Sequence, residues 1–382
     1  MKKSVCIVVQ LFYPENQAMA VRTKFLANAL MDSGYKTSIL TSSRSKGVDK
    51  YNVQSAWTPV SSNKDNVYIR LAKELLYSAE IFLRVLFHQA DLFIISSPPF
   101  TISYAAAIAC RLTGKKFVFD VRDEYPEVYF TEGLLNADGR MGKMLKRIEA
   151  NLYKRSIVTT TVTERIVKKL KSKSGQEDKI YLLRNGYADH ISPLEKISTD
   201  PFVILFHGNM GKFQNPQLIV EVAKCCLAQN LNVEFWVYGW GNQTKVILDA
   251  EPHLNNLEHK GELSHDQIPD ILEHISLGIS FQGDTEISKN SFPSKVMEFI
   301  GSGIPVIVTP ISEAGEFVEA SGVGFQFSPS DAKPIVDCIK QLSENPDRIH
   351  EMSLKTKAIR NKLSRKSVSD DFVEYLDDLL TQ

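Results

Sequence analysis

One stretch combines residues suited to anions with residues suited to hydroxyls: Asn290-Ser-Phe-Pro-Ser-Lys-Val-Met-Glu-Phe-Ile-Gly-Ser-Gly-Ile-Pro-Val-Ile-Val308. A polar loop runs into a helix that Pro293 can start, because a first-turn proline gives up no helical hydrogen bond. Ser294 and Lys295 then lie at the helix N-terminus, where free N–H groups and the macrodipole favour an anion. Glu298 follows Lys295 by three residues and shares its face. The cation suits phosphate, and the carboxylate one turn on suits sugar hydroxyls. Gly301 and Gly303 are expected to end the helix, and Ile304 to Val308 to form a buried strand. The plainer alternative is an ordinary βαβ unit with solvated charges.

Three further groups could carry chemistry. In His207-Gly-Asn-Met-Gly-Lys-Phe-Gln-Asn215, Gly208 and Gly211 let backbone approach a phosphate, and Lys212 adds charge. The spacing is not that of a Walker loop, and a plain strand-to-helix loop is the alternative. In Tyr238-Gly-Trp-Gly241 the glycines allow a flat group to lie on backbone, or simply form a tight turn. Arg122, Asp123 and Glu124, with Asp120, follow a strand, where a carboxylate can act as general base or bind hydroxyls. A local ion-pair cluster explains them equally. Asp284 and Glu286 have no further ligand spacing, so no metal is expected there.

Lys143, Lys146, Arg147, Lys154 and Arg155 share an amphipathic helix with Met144, Leu145, Ile148 and Leu152. Such a helix can rest on an anionic membrane, or be a solvated face over a core stripe. The eight histidines form no HxxxH or triad-like pattern.

Alternating strands and helices position these groups. Strands are expected at 5–11, 37–41, 92–96, 116–121, 157–162 and 180–184, then at 202–207, 233–238, 257–260, 277–281, 304–308 and 323–327. The opening βαβ lacks GxGxxG, so a dinucleotide fingerprint is not supported. His190 to Pro201 carries two prolines and reads as a linker. The pattern gives two doubly wound α/β domains, with ligands at the strand carboxyl ends in the cleft between them. A length of 382 residues agrees with two cores. Lys+Arg and Asp+Glu both number 45, so no global charge points to nucleic acid. Five cysteines without CxxC spacing suggest a reducing cytoplasm. The apolar run after Lys3 is too short to span a bilayer and reads as a first strand.

Taken in order, Arg184-Asn-Gly-Tyr-Ala-Asp189, Gly208-Asn-Met-Gly-Lys212, Tyr238-Gly-Trp-Gly241, His259-Lys-Gly-Glu-Leu263 and Phe292-Pro-Ser-Lys-Val-Met-Glu-Phe299 with Gly303-Ile-Pro305 resemble the retaining glycosyltransferases of family 4. They look most like the bacterial surface-polysaccharide branch, and the resemblance covers nearly the whole chain. It implies the GT-B fold, with an acceptor-binding Rossmann-like domain at 1–192 and a donor-binding one at 200–365. The last helix, 366–382, would pack back on the first domain. By the same resemblance Glu298 binds ribose hydroxyls, and Gly208, Asn209, Gly211, Lys212, Gln214 and Lys295 hold the diphosphate. Leu263 meets the base, and Gly239 and Ser294 complete the donor site. Asp123, Arg122 and Asn290 are the catalytic candidates, and Glu15, Asn16, Asp120 and Glu124 lie on the acceptor side.

Three departures stand out. Asn290 occupies the place of the family's first glutamate. Asn209 and Gln214 stand where the phosphate loop usually has arginine and lysine. The first loop, Glu15-Asn-Gln-Ala-Met19, has no glycine. The implied reaction moves a sugar from a nucleotide-diphospho-sugar, UDP-linked, to a hydroxyl of a glycan or polyprenyl-linked glycan. It uses no cofactor or metal, since lysines and helix N-termini stabilise the leaving diphosphate. A cytoplasmic protein, peripheral on the inner membrane face, is expected. The rivals are a UDP-sugar 2-epimerase and a binding subunit without turnover.

Overall fold

The computed structural model describes residues 3–15, 18–42, 50–58, 67–131, 133–188, 190–195, 197–263 and 267–381. The chain divides into two units, Met1–Arg184 with Ser369–Gln382, and Asn185–Val368.

Unit 1 is built on seven strands: β1 Ser4–Val8, β2 Lys36–Thr41, β3 Asn52–Ser55, β4 Leu92–Ser97, β5 Lys116–Val121, β6 Val158–Thr161 and β7 Ile180–Leu182. Their order is β3-β2-β1-β4-β5-β6-β7, with every neighbouring pair parallel. The inner strands are buried on both faces, as their continuous apolar runs require. Alternation divides them between faces. Phe93, Ile95, Phe117 and Phe119 share one core with Tyr77, Phe100, Leu152 and Ile166. Helices Val67–Phe87, Phe100–Leu112, Arg140–Arg155 and Glu164–Ser174 therefore cover that face. Asp120 points the other way, toward helix Ala18–Asp32. The last helix, Arg365–Thr381, buries Phe372, Val373 and Leu376. Its Phe372 and Tyr375 rings lie 5.3 and 4.6 Å from that of Tyr181, and Tyr35 donates to Asp377.

Unit 2 has six strands: β8 Phe202–His207, β9 Val233–Tyr238, β10 Leu257–His259, β11 Leu277–Phe281, β12 Val306–Thr309 and β13 Gly324–Gln326. The order β10-β9-β8-β11-β12-β13 is again all parallel. Strand order reverses between β8 and β11, and ligands bind outside the carboxyl ends of strands at such a switch point.

Two expectations need correcting. The stretch 190–201 is not a free linker, because Ile191 and Ile197 are buried in the core of unit 2 and the unit boundary falls earlier. Gly301 does not end its helix, which runs Ser294–Ser302. A Cβ there would lie 2.6 Å from the Tyr187 ring, so packing accounts for this glycine. Gly303, at φ +90°, ends the helix. Among the described residues no helix is long and apolar enough to cross a membrane.

Candidate functional site

The carboxyl ends of β8 and β11 gather the anion-binding candidates of unit 2. Helix Ser294–Ser302 begins at Pro293 with no side-chain cap. Its Lys295 and Glu298 are 9% and 4% exposed. The Lys295 ammonium sits 3.7 Å from the Phe206 ring centroid and donates to Gln214 Oε1 at 3.2 Å. It also lies beside Gly208, where a Cβ would come within 3.9 Å of Nζ. The structure thus brings Gly208, Gln214 and Lys295 together. Glu298 Oε2 is 3.5 Å from His207 Nε2, and the His207 ring meets Phe299 edge-on.

Burial pushes the Lys295 ammonium down to about 7, although Glu298 pulls it up. Burial likewise pushes the Glu298 carboxyl up to about 7, opposed by Arg365 and Lys295. A dry cation and a dry carboxyl side by side suit a ligand that carries both phosphate and hydroxyls. Sequence reasoning gave no role to His207 or Arg365. The position of His207 at the end of β8 was a usable signal. The influence of Arg365 on Glu298, from 67 residues further on, was not visible.

Beside this pair the glycine loops fit one another. The Gly208 N–H donates to Tyr238 O at 3.0 Å, Gly239 to Gly261 O at 2.7 Å and Met210 to Trp240 O at 2.9 Å. Gly239 has φ +120°, and a Cβ on it would lie 2.0 Å from Gly208 O. The neighbouring loop by itself therefore requires a glycine at 239. The Gln243 side chain ties the 208–214 loop at Gly211 O and Gln214 O, at 2.6 and 3.1 Å. Asn209 and Lys212 are exposed, Gly211 and Leu263 half-buried. Ser294 is half-buried in the first turn of its helix.

Asn290 is buried at the end of a short helix, Glu286–Asn290, and not in a loop as expected. The Thr285 side chain caps that helix by accepting from Ser288 N. Asp284 and Glu286 pair with Lys289, at 2.8 and 3.8 Å.

In unit 1 the ion-pair alternative accounts for two of the acceptor-side candidates. Asp120 accepts from Arg22 at 2.9 Å, Thr160 at 2.7 Å and Ser96 at 3.0 Å. Burial would raise its carboxyl, but Arg22, Thr160, Arg122 and Ser96 hold it below the usual range. Arg22 also donates to Leu183 O and Arg184 O, so Asp120 belongs to an internal network. Glu124 pairs with Lys169 at 2.9 Å. Asp123 keeps exposed surface, and burial of its surroundings raises its carboxyl against the pull of Arg122. Glu15 is exposed, and Asn16 lies outside the described residues.

Residues 189–360 match the family model described as "Glycosyl transferases group 1". No curated protein matches the chain. Among solved structures it is similar to HepE of Anabaena in complex with UDP, at 14% identity and TM-score 0.72, over 98% of this chain and 100% of that one. A glycosyltransferase from Rickettsia africae matches at 16% identity and TM-score 0.70, over 99% of each chain. WaaG, a glycosyltransferase involved in lipopolysaccharide biosynthesis, matches at 13% identity and TM-score 0.68, over 97% of this chain and 99% of that one. The fold is GT-B, with parallel sheets of seven and six strands. Unit 2 is similar to the group 1 glycosyl transferases over nearly its full length.

Proposed function

We propose that the protein is a glycosyltransferase of family 4, moving a sugar from a UDP-linked donor to a hydroxyl of a glycan or lipid-linked glycan in surface-polysaccharide assembly. The observation that carries this reading is the buried Lys295–Glu298 pair beside the Gly208 loop, within the segment similar to group 1 glycosyl transferases. In this reading Lys295, the amides of Ser294 and Lys295, and the 208–214 loop hold the diphosphate. As the glycosidic bond breaks, charge grows on that leaving group, and the buried ammonium and helix N-terminus stabilise it. No metal is assigned, because these groups supply the positive charge. Glu298 accepts from the ribose hydroxyls. Asp123, Arg122 and Asn290 remain the catalytic candidates, with retention of anomeric configuration implied by the family resemblance. HepE, with the same fold, has been solved with UDP and with UDP-glucose, which supports a UDP-linked donor.

Titration calorimetry with UDP tests the reading. Glu298→Ala should weaken binding at least about tenfold, since it leaves ribose hydroxyls unpaired. Unchanged affinity would place the nucleotide elsewhere. A second reading, a binding subunit without turnover, is favoured by Asn290, which is buried and neutral where the family has a glutamate. Donor turnover with a glycan acceptor separates the two, and epimerised donor in the absence of acceptor would instead indicate an epimerase.

The acceptor reading extends to an anionic membrane. Lys143, Lys146, Arg147, Lys154 and Arg155 are all exposed on helix Arg140–Arg155, alongside Met141 and Met144. In the same helical layer Leu76, Leu83 and Phe87 are 64, 54 and 77% exposed. Cations interleaved with exposed apolar side chains suit the surface of an anionic bilayer, where a polyprenyl-linked acceptor would reside.

A further inference from the structure

Charge at the proposed nucleotide site comes from unit 2, which leaves one guanidinium of unit 1 unexplained. Arg122 is the first residue past β5. Its backbone N–H donates to Ser97 O at 3.3 Å, which fixes it at the carboxyl ends of two adjoining strands. Nε and Nη1 of its side chain are buried, and among the described residues neither has a hydrogen-bond partner. Buried donors are nearly always satisfied, and a charged one left without an acceptor is costly.

The neighbouring acid groups do not meet this need. Asp120 is the nearest buried carboxylate in sequence, and both its oxygens are engaged: Oδ1 by Arg22 and Thr160, Oδ2 by Ser96. Asp123 is exposed. Arg22 brings a second buried guanidinium, and its like charge adds to burial in weakening the hold of Arg122 on its proton. Two guanidinium groups thus lie near one fully engaged buried carboxylate, and the Nε and Nη1 donors of Arg122 are unfilled among the described residues. Close by, helix Phe100–Leu112 begins three residues after β4 with no side-chain cap. Thr101 Oγ1 in its first turn is likewise buried and, among the described residues, without a partner. Local positive charge, orphaned N–H donors and an open helix N-terminus together favour an oxyanion.

We infer that Arg122 binds an oxyanion of a substrate, a phosphate or a carboxylate, at the carboxyl end of the unit 1 sheet. This goes beyond the nucleotide site, which lies in unit 2. The oxyanion has two sources of the same chemistry: a free phosphate, and the phosphate or carboxylate of a charged acceptor such as a phosphate-linked or uronate-bearing glycan.

Equilibrium dialysis of the full chain against labelled inorganic phosphate, with UDP saturating, tests the inference. The wild type should bind one further phosphate. Arg122→Gln should weaken that binding at least about tenfold, the fold-change expected for one charge-assisted hydrogen bond. Arg122→Lys, which keeps the charge but not the fork, should fall between them. No phosphate bound by the wild type, or binding untouched by Arg122→Gln, would overturn the inference. If Arg122→Gln does not fold, as judged by circular dichroism, the Arg122 Nε–H resonance of the wild type decides. Under phosphate it must shift and saturate, and an unmoved resonance refutes the site. Competition by uronate and by a phosphate-linked glycan distinguishes the sources. Displacement of phosphate by either at lower concentration than inorganic phosphate, lost in Arg122→Gln, assigns the oxyanion to a charged acceptor, and no such preference assigns it to free phosphate. If UDP itself fails to bind, the nucleotide reading falls, while dialysis without UDP still decides this one.

Discussion

Lys295 and Glu298 lie one turn apart on a buried helix, and burial moves their ionisation in opposite directions until both titrate at about 7. Their ordinary values are 10.5 and 4.5. From 4.5 to about 7 the folded carboxyl keeps a proton that the unfolded one has lost, so stability falls as pH rises. From about 7 to 10.5 the unfolded lysine keeps a proton that the folded one has lost, so stability rises with pH. The ligand-free protein should therefore be least stable near neutrality. Urea midpoints measured across this range should lose the falling limb in Glu298→Gln and the rising limb in Lys295→Met. A wild-type profile matching that of the double variant would contradict the assignment.

Gly239→Ala tests the fit between the two glycine loops. The added methyl would meet Gly208 O at 2.0 Å, at a φ of +120° that only glycine adopts easily. Stability should drop by at least about 2 kcal/mol, and UDP affinity should fall with it as the Gly208 loop is displaced. Calorimetry on the folded fraction reads the second effect. Intact affinity would show that the Gly208 loop does not hold the diphosphate.

Removing one partner of the Arg22–Asp120 pair should be more harmful than removing both. Arg22→Met leaves a buried carboxylate and Asp120→Leu a buried guanidinium, each costing about 3–5 kcal/mol. The double variant Arg22→Met/Asp120→Leu should recover part of that loss in urea denaturation. Simple additivity of the two single changes would mean the residues act independently.

The membrane reading predicts co-sedimentation with vesicles containing phosphatidylglycerol and none with neutral vesicles. Each surface cation near an anionic bilayer contributes about 1 kcal/mol, so Lys146→Glu/Arg147→Glu should weaken vesicle binding more than tenfold. Phe87→Ser should weaken it without changing its salt dependence. Equal binding to neutral vesicles would point to the apolar stripe alone.

The positions of Lys295 and Glu298 were legible because helical spacing alone puts residues three apart on one face. The strand-helix alternation was legible for a similar reason, since inner parallel strands read as unbroken apolar runs. β3 was not, because Asn52–Ser55 is a half-buried polar edge with no such run. The engagement of Asp120 is not legible because its partner, Arg22, lies 98 residues away, and sequence does not show which charges are already matched. Gly239 was ambiguous for the same reason, as the carbonyl that fills its missing Cβ belongs to a loop on another strand. The early end of unit 1 was hidden because Ile191 and Ile197 stand among prolines and polar residues in a stretch that reads as a tether.

The helix Arg365–Thr381 has a consequence for how the protein is made. Unit 2 is one continuous stretch, whereas unit 1 needs residues from both sides of it. During synthesis the whole of unit 2 emerges before Phe372, Val373 and Leu376 exist to cover β7. A ribosome paused after residue 368 would thus carry a first unit with an uncovered apolar edge beside a second unit whose sequence is complete, and chaperones would have most to bind on the half that was translated first.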